Sequence, residues 1–251
     1  MLSLAGKTAL VSGGSRGIGR AVSVLFGQLG AQVAVGYNRN ESAARETVAL
    51  IEKDGGKAVA LAADLGEEGE AESLVQAAEE ALAALDVLVV NHGIWKRAGI
   101  EEMTPAQWDE TLRVNLGSAR GLCAEAVRSM RPRGAGAIVL VASTAGQRGE
   151  AGYSHYAASK GALVSLAKSL AKEVGPEGIR VNVVAPGWVV TDMTRDALDT
   201  EEGRAFVAAV PLGRAAQPEE VAGPVAFLAS DLASYIQGNV LSVNGGSVMV
   251  G

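Results

Sequence analysis

Short runs of apolar, often β-branched residues recur along the chain, and longer stretches with apolar positions every three or four residues separate them. The runs that we predict to be strands are residues 8–11, 32–35, 58–61, 87–90, 137–141, 180–184 and 240–243. Continuous apolar runs of this length are typical of strands that are covered on both faces of a sheet. Their alternation with helices predicts an α/β fold of the doubly wound type.

The segment after the first strand illustrates the helical pattern. Its apolar positions are Ile18, Ala21, Val22, Leu25, Phe26 and Leu29. This spacing predicts an amphipathic helix, and Gly30 stands where a C-terminal glycine would end it. Thr104 and Pro105 predict another helix start, in the N-cap and first helical positions. The pattern continues without a linker or a repeat, so we predict one domain over residues 1–251.

Composition and charge narrow the possible partners. The 251 residues are 48% hydrophobic but only 4% aromatic, so Ala, Val and Leu must pack most of the core. The formal net charge is -6 and no dense block of Lys and Arg occurs. This argues against a nucleic acid or an anionic membrane surface as the main partner and favours a small molecule.

Cysteine and histidine usage adds further exclusions. Cys123 is the single cysteine, so no intramolecular disulfide can form, and its apolar helical context predicts a buried, unreactive thiol. The two histidines, His92 and His155, are far apart in the sequence, and we predict no metal site. Neither a signal peptide nor a membrane-spanning run is recognisable, which predicts a cytoplasmic protein.

The stretch LVSGGSRGIGR joins the first strand to the first helix. Gly13, Gly17 and Gly19 allow a sharp turn and a close approach of the backbone to a pyrophosphate. The free N–H groups and the dipole at the start of the helix would stabilise that negative charge. The spacing differs from G-x-G-x-x-G, so the loop alone leaves open a glycine-rich turn that binds nothing.

The stretch YSHYAASK holds the candidate proton donor. A tyrosine with a pKa near ~10 needs a nearby cation to act as an acid-base group at neutral pH. Tyr156 and Lys160 are four residues apart and share a helix face, so we expect the ammonium to stabilise the phenolate. Tyr153 is seven residues from Lys160, about 10 Å along the helix axis, which is too far for direct pairing. We therefore predict that Tyr156 reacts and that Tyr153 packs or lines the substrate pocket.

Several motifs in the same order resemble the short-chain dehydrogenase/reductase family over essentially the whole chain. They are the SGxxxGxG loop at 12–19, Asp64, VNHG at 90–93, Asn115 in VNL, Ser143 in VAST, the Tyr156/Lys160 pair, PGWVVTDM at 186–193 and the closing VNGG. The resemblance implies a Rossmann-type sheet of seven parallel strands flanked by helices, and a nicotinamide dinucleotide as cofactor.

The resemblance also implies roles for individual residues. Ser143 would hydrogen-bond the substrate carbonyl, Tyr156 would donate the proton, Lys160 would also hold the nicotinamide ribose, and Asn115 would position a water that links Lys160 to solvent. The cofactor would be bound by Gly13, Ser15, Arg16, Gly17, Ile18, Gly19, Tyr37, Asn38, Arg39, Asp64, Leu65, Asn91, Gly93, Tyr156, Lys160, Pro186, Gly187, Val189 and Thr191. The family usually has Ala where this chain has His92, to which we assign no role.

Charge at the end of the second strand distinguishes the two dinucleotides. A carboxylate there would bind the ribose hydroxyls of NAD and repel the 2′-phosphate of NADP. The matching position is Tyr37, and no carboxylate follows before Glu41. Arg16 and Arg39 are placed to reach a phosphate, and guanidinium suits phosphate well. We therefore predict NADP(H), with NAD(H) as the alternative.

Within the family, the chain is most similar to 3-oxoacyl-[acyl-carrier-protein] reductases. This implies NADPH-dependent reduction of a 3-oxoacyl thioester on acyl carrier protein or CoA. A docking surface for the acidic carrier protein should be basic, and we expect it at Arg128, Arg131 and Arg133, beside the mouth of the active site. Glu177, where such reductases often carry a basic residue, counts against a carrier protein. The alternatives are a reductase or alcohol dehydrogenase for small ketones, keto-esters or acyl-CoA, and a non-catalytic dinucleotide sensor.

The resemblance further implies a homotetramer and a mobile lid. The tetramer would form through two long helices, around residues 106–130 and 153–174, together with C-terminal contacts. The lid over the substrate would span about residues 191–212, whose mixed composition is compatible with a helical flap.

Overall fold

A computed structural model describes residues 1–249, and within them the chain forms one parallel sheet of seven strands in the order β3-β2-β1-β4-β5-β6-β7. The strands are β1 (Thr8–Ser12), β2 (Gln32–Tyr37), β3 (Lys57–Ala62), β4 (Val87–Val90), β5 (Gly136–Val141), β6 (Ile179–Pro186) and β7 (Val240–Val243). Each predicted strand is present, with ends shifted by at most one or two residues. The predicted α/β fold class is confirmed.

Helices cover both faces of the sheet. Over the same residues they are α1 (Gly17–Gln28), α2 (Glu41–Lys53), α3 (Glu70–Leu82), α4 (Pro105–Leu112), α5 (Ser118–Met130), α6 (Ala145–Arg148), α7 (Ser154–Val174), α8 (Arg195–Leu198), α9 (Glu201–Ala208) and α10 (Pro218–Ala229). Thr104 caps α4 through a capping box with Gln107, as its position before Pro105 predicts.

Successive side chains of each strand point to opposite faces of the sheet, so the hydrophobic core has two layers. Leu10, Leu88 and Ile138 point towards α3, α5 and α7, whereas Val11 and Val89 point towards α1 and α10. A fully buried Val or Leu side chain contributes about 1.5–3 kcal/mol relative to an exposed one. Both faces of the sheet therefore need apolar residues, which explains the continuous apolar runs.

The strand order creates a crevice at the carboxyl edge of the sheet. β1 pairs with β2 on one side and with β4 on the other, so the connections after β1 and β4 leave in opposite directions. In open α/β sheets ligands bind at such a switch point. The loops that follow β1, β4, β5 and β6 therefore surround one site.

The segment expected as one long helix over residues 106–130 is interrupted. A π-helical turn, Arg113–Gly117, joins α4 to α5. Single π-helical turns inside helices often occur at functional sites. After β6, the segment expected as a lid contains α8 and α9. Within residues 1–249, no helix combines the length and the apolar character needed to cross a membrane.

Candidate active site

The turn between β1 and α1 brings two parts of the backbone close together. A Cβ at Gly19 would lie 2.0 Å from the Gly13 carbonyl oxygen, so only glycine fits there. Gly13 and Gly17 have φ values of +64° and +53°, which glycine adopts without strain. A Cβ at Gly17 would lie 3.2 Å from Thr191 Cγ2, so this turn directly faces the loop after β6.

The first turn of α1 is suited to an anion. Arg16 at the N-cap makes no side-chain cap, and the first turn contains no acidic residue. Its N–H groups and the helix dipole therefore attract negative charge. Ser15 is buried, and its carbonyl oxygen accepts from Arg20 Nε at 3.0 Å, which holds the turn in place. Ile18 packs against the core below.

The end of β2 carries no free carboxylate. Tyr37 is half-buried, while Asn38 and Arg39 are exposed beyond it. The first carboxylate along the chain, Glu41, accepts from Arg45 Nε at 2.8 Å. The Glu41 carboxylate is therefore already paired with Arg45, whereas the Arg39 side chain is exposed close to the end of β2.

The ends of β3 and β4 complete the cofactor side of the crevice. Asp64 Oδ1 accepts from the Gly66 amide at 3.0 Å, and Leu65 is buried beside it. Asn91 Nδ2 donates to the Gly13 carbonyl oxygen at 3.1 Å. Asn91 thus ties the end of β4 to the glycine turn.

Three predicted catalytic residues come together where the carboxyl end of β5 meets the first turns of α7: Ser143, Tyr156 and Lys160. Burial raises the pKa of Tyr156 to about 12 and outweighs the Ser143 hydroxyl, which acts to lower that pKa. Lys160 Nζ lies 5.8 Å from the centroid of the Tyr156 ring and donates to the Val141 carbonyl oxygen at 2.9 Å. Burial lowers the pKa of Lys160 to about 8.

The expected lowering of the phenol pKa by Lys160 is therefore not found. The ammonium hydrogen-bonds to the backbone rather than to the phenol oxygen, and desolvation dominates at the tyrosine. A phenol with a pKa of about 12 is protonated at neutral pH, which is the state that a proton donor requires.

Asn115 lies on the π-helical turn and points back to the loop after β4. Its Oδ1 accepts from the Ile94 amide at 2.8 Å, and its Nδ2 donates to the Ile94 carbonyl at 3.0 Å and to Ser159 Oγ at 3.1 Å. A Cβ at Gly93 would lie 3.1 Å from Asn115 Oδ1 and 3.5 Å from Lys160 Nζ. The predicted residues Asn115, Gly93 and Lys160 are thus neighbours.

The loop after β6 closes the other side of the crevice. The Gly187 amide donates to the Val243 carbonyl oxygen at 3.0 Å, immediately after Pro186 ends β6. Val189 is buried and bridges to Ala216. Thr191 Oγ1 lies 3.1 Å from Thr194 Oγ1 at the start of the expected lid.

His92 contributes a network that the sequence did not predict. Its Nε2 lies 3.0 Å from the Val114 carbonyl oxygen and 2.6 Å from Ser118 Oγ, and its Nδ1 lies 2.8 Å from Ser12 Oγ. Because Val114 O can only accept, Nε2 carries the proton and Nδ1 accepts from Ser12. Burial lowers the pKa of His92 to about 4, so the ring is neutral. The only sequence signal for this network was a polar residue between Asn91 and Gly93.

An aromatic cluster, also not predicted, stands beside the reactive tyrosine. Trp95 and Tyr153 stack with ring centroids 4.5 Å apart and planes at 6°. Trp188 meets Trp95 edge-on at 6.0 Å, and Phe206 stacks on Trp188 at 6.2 Å. Tyr153 therefore packs against aromatic rings, which agrees with its predicted role away from the proton transfer.

The predicted basic docking surface is at the wrong edge of the sheet. Arg131 and Arg133 precede β5, so they lie at the amino edge, opposite the loops that form the site. Arg133 Nη2 donates to the carbonyl oxygen of Leu85, just before β4, and Arg131 Nε lies 2.5 Å from Glu177 Oε2, just before β6. Arg128 pairs with Glu125. These arginines are not beside the mouth of the active site.

The remaining histidine and the cysteine have no contact that suggests chemistry. His155 is 1% exposed, and burial lowers its pKa. Cys123 is buried on α5, and desolvation raises the pKa of its thiol to about 12. Among residues 1–249, no three His, Cys, Asp or Glu side chains come together in a way that could hold a metal ion.

Known proteins are similar to this chain in sequence and in fold. The sequence model of a family described as Enoyl-(Acyl carrier protein) reductase matches residues 13–248. The 3-oxoacyl-[acyl-carrier-protein] reductase of Vibrio cholerae is 40% identical over 249 residues, covering 99% of this chain and all of its own. The corresponding reductase of Chlamydia trachomatis is 39% identical over 97% of this chain and 98% of its own.

Two solved structures extend the comparison. A putative NAD(P)-dependent gluconate 5-dehydrogenase from Beutenbergia cavernae, with bound NADP, superposes with a TM-score of 0.93 at 40% identity, covering 98% of each chain. A short-chain dehydrogenase from Burkholderia cenocepacia in complex with NADP gives a TM-score of 0.92 at 36% identity, over 97% of this chain and 98% of its own. The chain therefore belongs to the short-chain dehydrogenase/reductase family of NAD(P)-dependent oxidoreductases.

Proposed function

We propose that this enzyme reduces a 3-oxoacyl thioester to the 3-hydroxyacyl product with NADPH. The observation that carries the proposal is the convergence of Ser143, Tyr156 and Lys160 beside the glycine turn at the carboxyl edge of the sheet. The curated relatives from Vibrio cholerae and Chlamydia trachomatis, both named 3-oxoacyl-[acyl-carrier-protein] reductases, support this choice of substrate.

The site residues fit a nicotinamide dinucleotide. Gly13, Gly17 and Gly19 permit the tight turn before α1, because a Cβ at any of them would lie within 3.2 Å of another part of the protein. The uncapped start of α1 would bind its charge. Arg16 and Arg39, with no free carboxylate at the end of β2, favour the 2′-phosphate of NADPH. When bound, the cofactor would supply a hydride to the substrate carbonyl carbon.

The chain's own residues would handle the carbonyl oxygen and its proton. Tyr156 would donate its phenolic proton to the oxygen as negative charge develops there, and Ser143 would hydrogen-bond the same oxygen. Lys160, which donates to the Val141 carbonyl oxygen and lies 5.8 Å from the centroid of the Tyr156 ring, would help to return a proton to the phenolate. Asn115 would hold the Ile94 backbone beside Lys160 and position the water through which that proton arrives.

The carrier of the acyl group is a separate question. The arginine run at 128–133 lies at the opposite edge of the sheet and cannot dock a carrier protein at the site mouth. Among thioesters this observation favours acyl-CoA over the carrier protein. Reduction of small ketones and keto-esters is the second candidate function. The similarity to reductases of 3-oxoacyl-[acyl-carrier-protein] supports acyl carrier protein as a carrier.

We extend the proposal to the lid and the assembly. Residues 191–212 would move over the bound substrate, with α8 and α9 as the moving part. Four chains would assemble as a homotetramer through α5 and α7, with further contacts from the C-terminal segment. Sedimentation of the purified protein as a stable monomer would contradict the assembly.

The direct test is the rate of NADPH oxidation by the purified protein with acetoacetyl-CoA. NADH serves as the paired cofactor control, and acetoacetyl carrier protein and simple ketones serve as alternative substrates. Turnover of the thioester with NADPH in preference to NADH is the expected result. Turnover of ketones alone would replace the first candidate function with the second, and a preference for NADH would overturn the cofactor proposal.

A further inference from the structure

Four aromatic side chains form a continuous row along one side of the crevice, which we call the aromatic wall. It consists of Trp95 in the loop after β4, Tyr153 before α7, Trp188 after β6, and Phe206 on α9. The chain has only 4% aromatic residues, yet two of its three tryptophans are in this wall. Four separate segments of the fold thus supply one apolar surface.

One end of the wall is next to the reacting groups. Tyr153 precedes Tyr156 by one helical turn, and Trp95 follows Ile94, whose backbone is held by Asn115. Trp188 follows Gly187 at the end of β6. The other end, Phe206, belongs to the segment that we propose as the lid. A substituent on a carbonyl carbon held at Tyr156 would therefore run along these rings.

The wall is not part of the hydrophobic core. Trp95, Tyr153 and Trp188 are only half-buried, and Phe206 is 43% exposed. Aromatic side chains gain most from complete burial, because each can remove about 150–250 Å² from water. Partly exposed rings that adjoin a reactive tyrosine are typical of a ligand-binding surface.

The charges around the wall disfavour an anionic ligand. Glu150 Oε2 accepts from Trp95 Nε1 at 3.4 Å, and burial raises the pKa of this carboxyl. Arg97 also borders the wall, but its Nη1 lies 3.9 Å from Glu202 Oε2. Glu150 and Glu202 therefore balance Arg97 and Arg148 around the wall, which leaves no excess of positive charge to bind a carboxylate or phosphate on the substrate.

We infer that the aromatic wall binds the acyl side of the substrate and selects 3-oxo compounds in which the ketone carries an uncharged, planar ring rather than a linear alkyl chain. The inference rests on the proposed function, because it assumes that the carbonyl is held at Tyr156. Rings bind to rings by offset stacking or by edge-to-face contact, and the wall already uses both geometries.

The test compares two thioesters of N-acetylcysteamine, those of 3-oxo-3-phenylpropanoate and 3-oxobutanoate, as substrates for NADPH oxidation. The readout is the ratio of kcat/KM for the phenyl substrate to that for the methyl substrate. Trp95→Leu and Phe206→Leu should each lower this ratio by about tenfold, which corresponds to about 1.4 kcal/mol of binding energy. Intrinsic differences between the two ketones cancel when the ratio is compared between variants.

Two further variants separate selectivity from folding. Trp95→Phe keeps an aromatic ring, so its ratio of kcat/KM values should stay close to that of the wild type. Tyr235→Leu removes a fully exposed ring near the amino end of β7, away from the wall, and should leave the ratio unchanged. A ratio that does not move in Trp95→Leu and Phe206→Leu overturns the inference while leaving the proposed reduction intact.

A binding measurement makes the inference independent of turnover. Quenching of tryptophan fluorescence should report binding of the 3-hydroxy-3-phenylpropanoyl thioester, at about tenfold lower concentration than the 3-hydroxybutanoyl thioester. If the phenyl compound binds at about tenfold lower concentration but neither 3-oxo thioester is reduced, the inference about the aromatic wall is supported and the proposed reduction is contradicted. Equal binding of the two compounds overturns the inference.

Discussion

His92 Nδ1 lies 2.8 Å from Ser12 Oγ, so an imidazole joins the end of β1 to the end of β4. Through Nε2 the same ring contacts Val114 and Ser118, on either side of Asn115. The glycine turn and the π-helical turn are thus connected through one neutral side chain. Nothing else in the sequence around residue 92 indicates this connection.

The first prediction concerns the pH dependence of this connection. The pKa of His92 is lowered from 6.5 to about 4, so the unfolded chain binds more protons between these values. Stability is therefore lost as pH falls from about 6.5 towards 4. From pH 7 to pH 5, the wild type should lose about 1–2 kcal/mol more unfolding free energy than His92→Gln. Urea denaturation at both pH values measures this, and equal losses would refute it.

The second prediction concerns the proton donor. Tyr156→Phe should reduce kcat by at least about a hundredfold, since general acid catalysis typically contributes that much or more. NADPH binding, followed by fluorescence, should persist. Tyr153→Phe is the matched control, because it keeps the ring that stacks on Trp95, and its kcat should stay within a few-fold. Retained turnover in Tyr156→Phe would remove Tyr156 from the mechanism, whereas loss of turnover with binding kept would exclude a non-catalytic sensor.

The third prediction concerns the cost of burying Lys160. Its pKa is lowered from 10.5 to about 8, so below pH 8 the folded state holds a partly desolvated ammonium. Stability contributed by this group rises as pH increases from about 8 to 10.5. Lys160→Met should therefore be more stable than the wild type at pH 7 by about 1–3 kcal/mol, although inactive.

The comparison with Lys160→Met also has a pH signature. The stability difference between the two proteins should shrink when urea denaturation is repeated at pH 9.5, where the wild-type amine is mostly neutral in the folded state. A difference that is the same at both pH values would contradict the assigned burial cost.

The fourth prediction concerns cofactor choice. Arg39→Ala should raise the KM for NADPH by about ten- to a hundredfold and leave that for NADH nearly unchanged, since a hydrogen bond to a charged group contributes about 1.5–3 kcal/mol. Arg128→Ala is the control, because this arginine pairs with Glu125 and lies away from the site. Equal effects on the two cofactors would show that Arg39 does not bind the 2′-phosphate.

The fifth prediction compares two glycines inside helices. Gly19→Ala should destabilise the protein and weaken NADPH binding, because its Cβ would lie 2.0 Å from the Gly13 carbonyl oxygen. Gly223→Ala in α10 meets nothing within 4 Å, so it should be neutral or stabilise the helix by up to about 1 kcal/mol. Thermal unfolding and NADPH titration of both variants provide the measurement. Similar behaviour of the two would contradict the steric argument.

Local patterns predicted the fold because they depend on burial. β1 and β4 are apolar on both faces, and their runs are visible without knowledge of their neighbours. Tyr156 and Lys160 were also predictable, since residues four apart in a helix lie on one face. In each case the information lies within a few consecutive residues.

Contacts between segments that are far apart in the sequence could not be predicted from such local patterns. Trp95, Trp188 and Phe206 look like ordinary apolar residues until the fold brings their three separate segments together. The prediction of Arg131 beside the site was wrong, although its position just before β5 already implies the amino edge of a parallel sheet. The π-helical turn around Asn115 likewise depends on contacts with Ile94 and Ser159, not on its own sequence.

The burial of Cys123 has a practical consequence. Because its thiol has a pKa of about 12 and is 2% exposed, very little thiolate is present for alkylation or oxidation at neutral pH. We therefore expect the wild-type protein to react very little with maleimides. A fluorophore attached to a cysteine introduced in place of Phe206 would then report whether α9 moves when substrate is added.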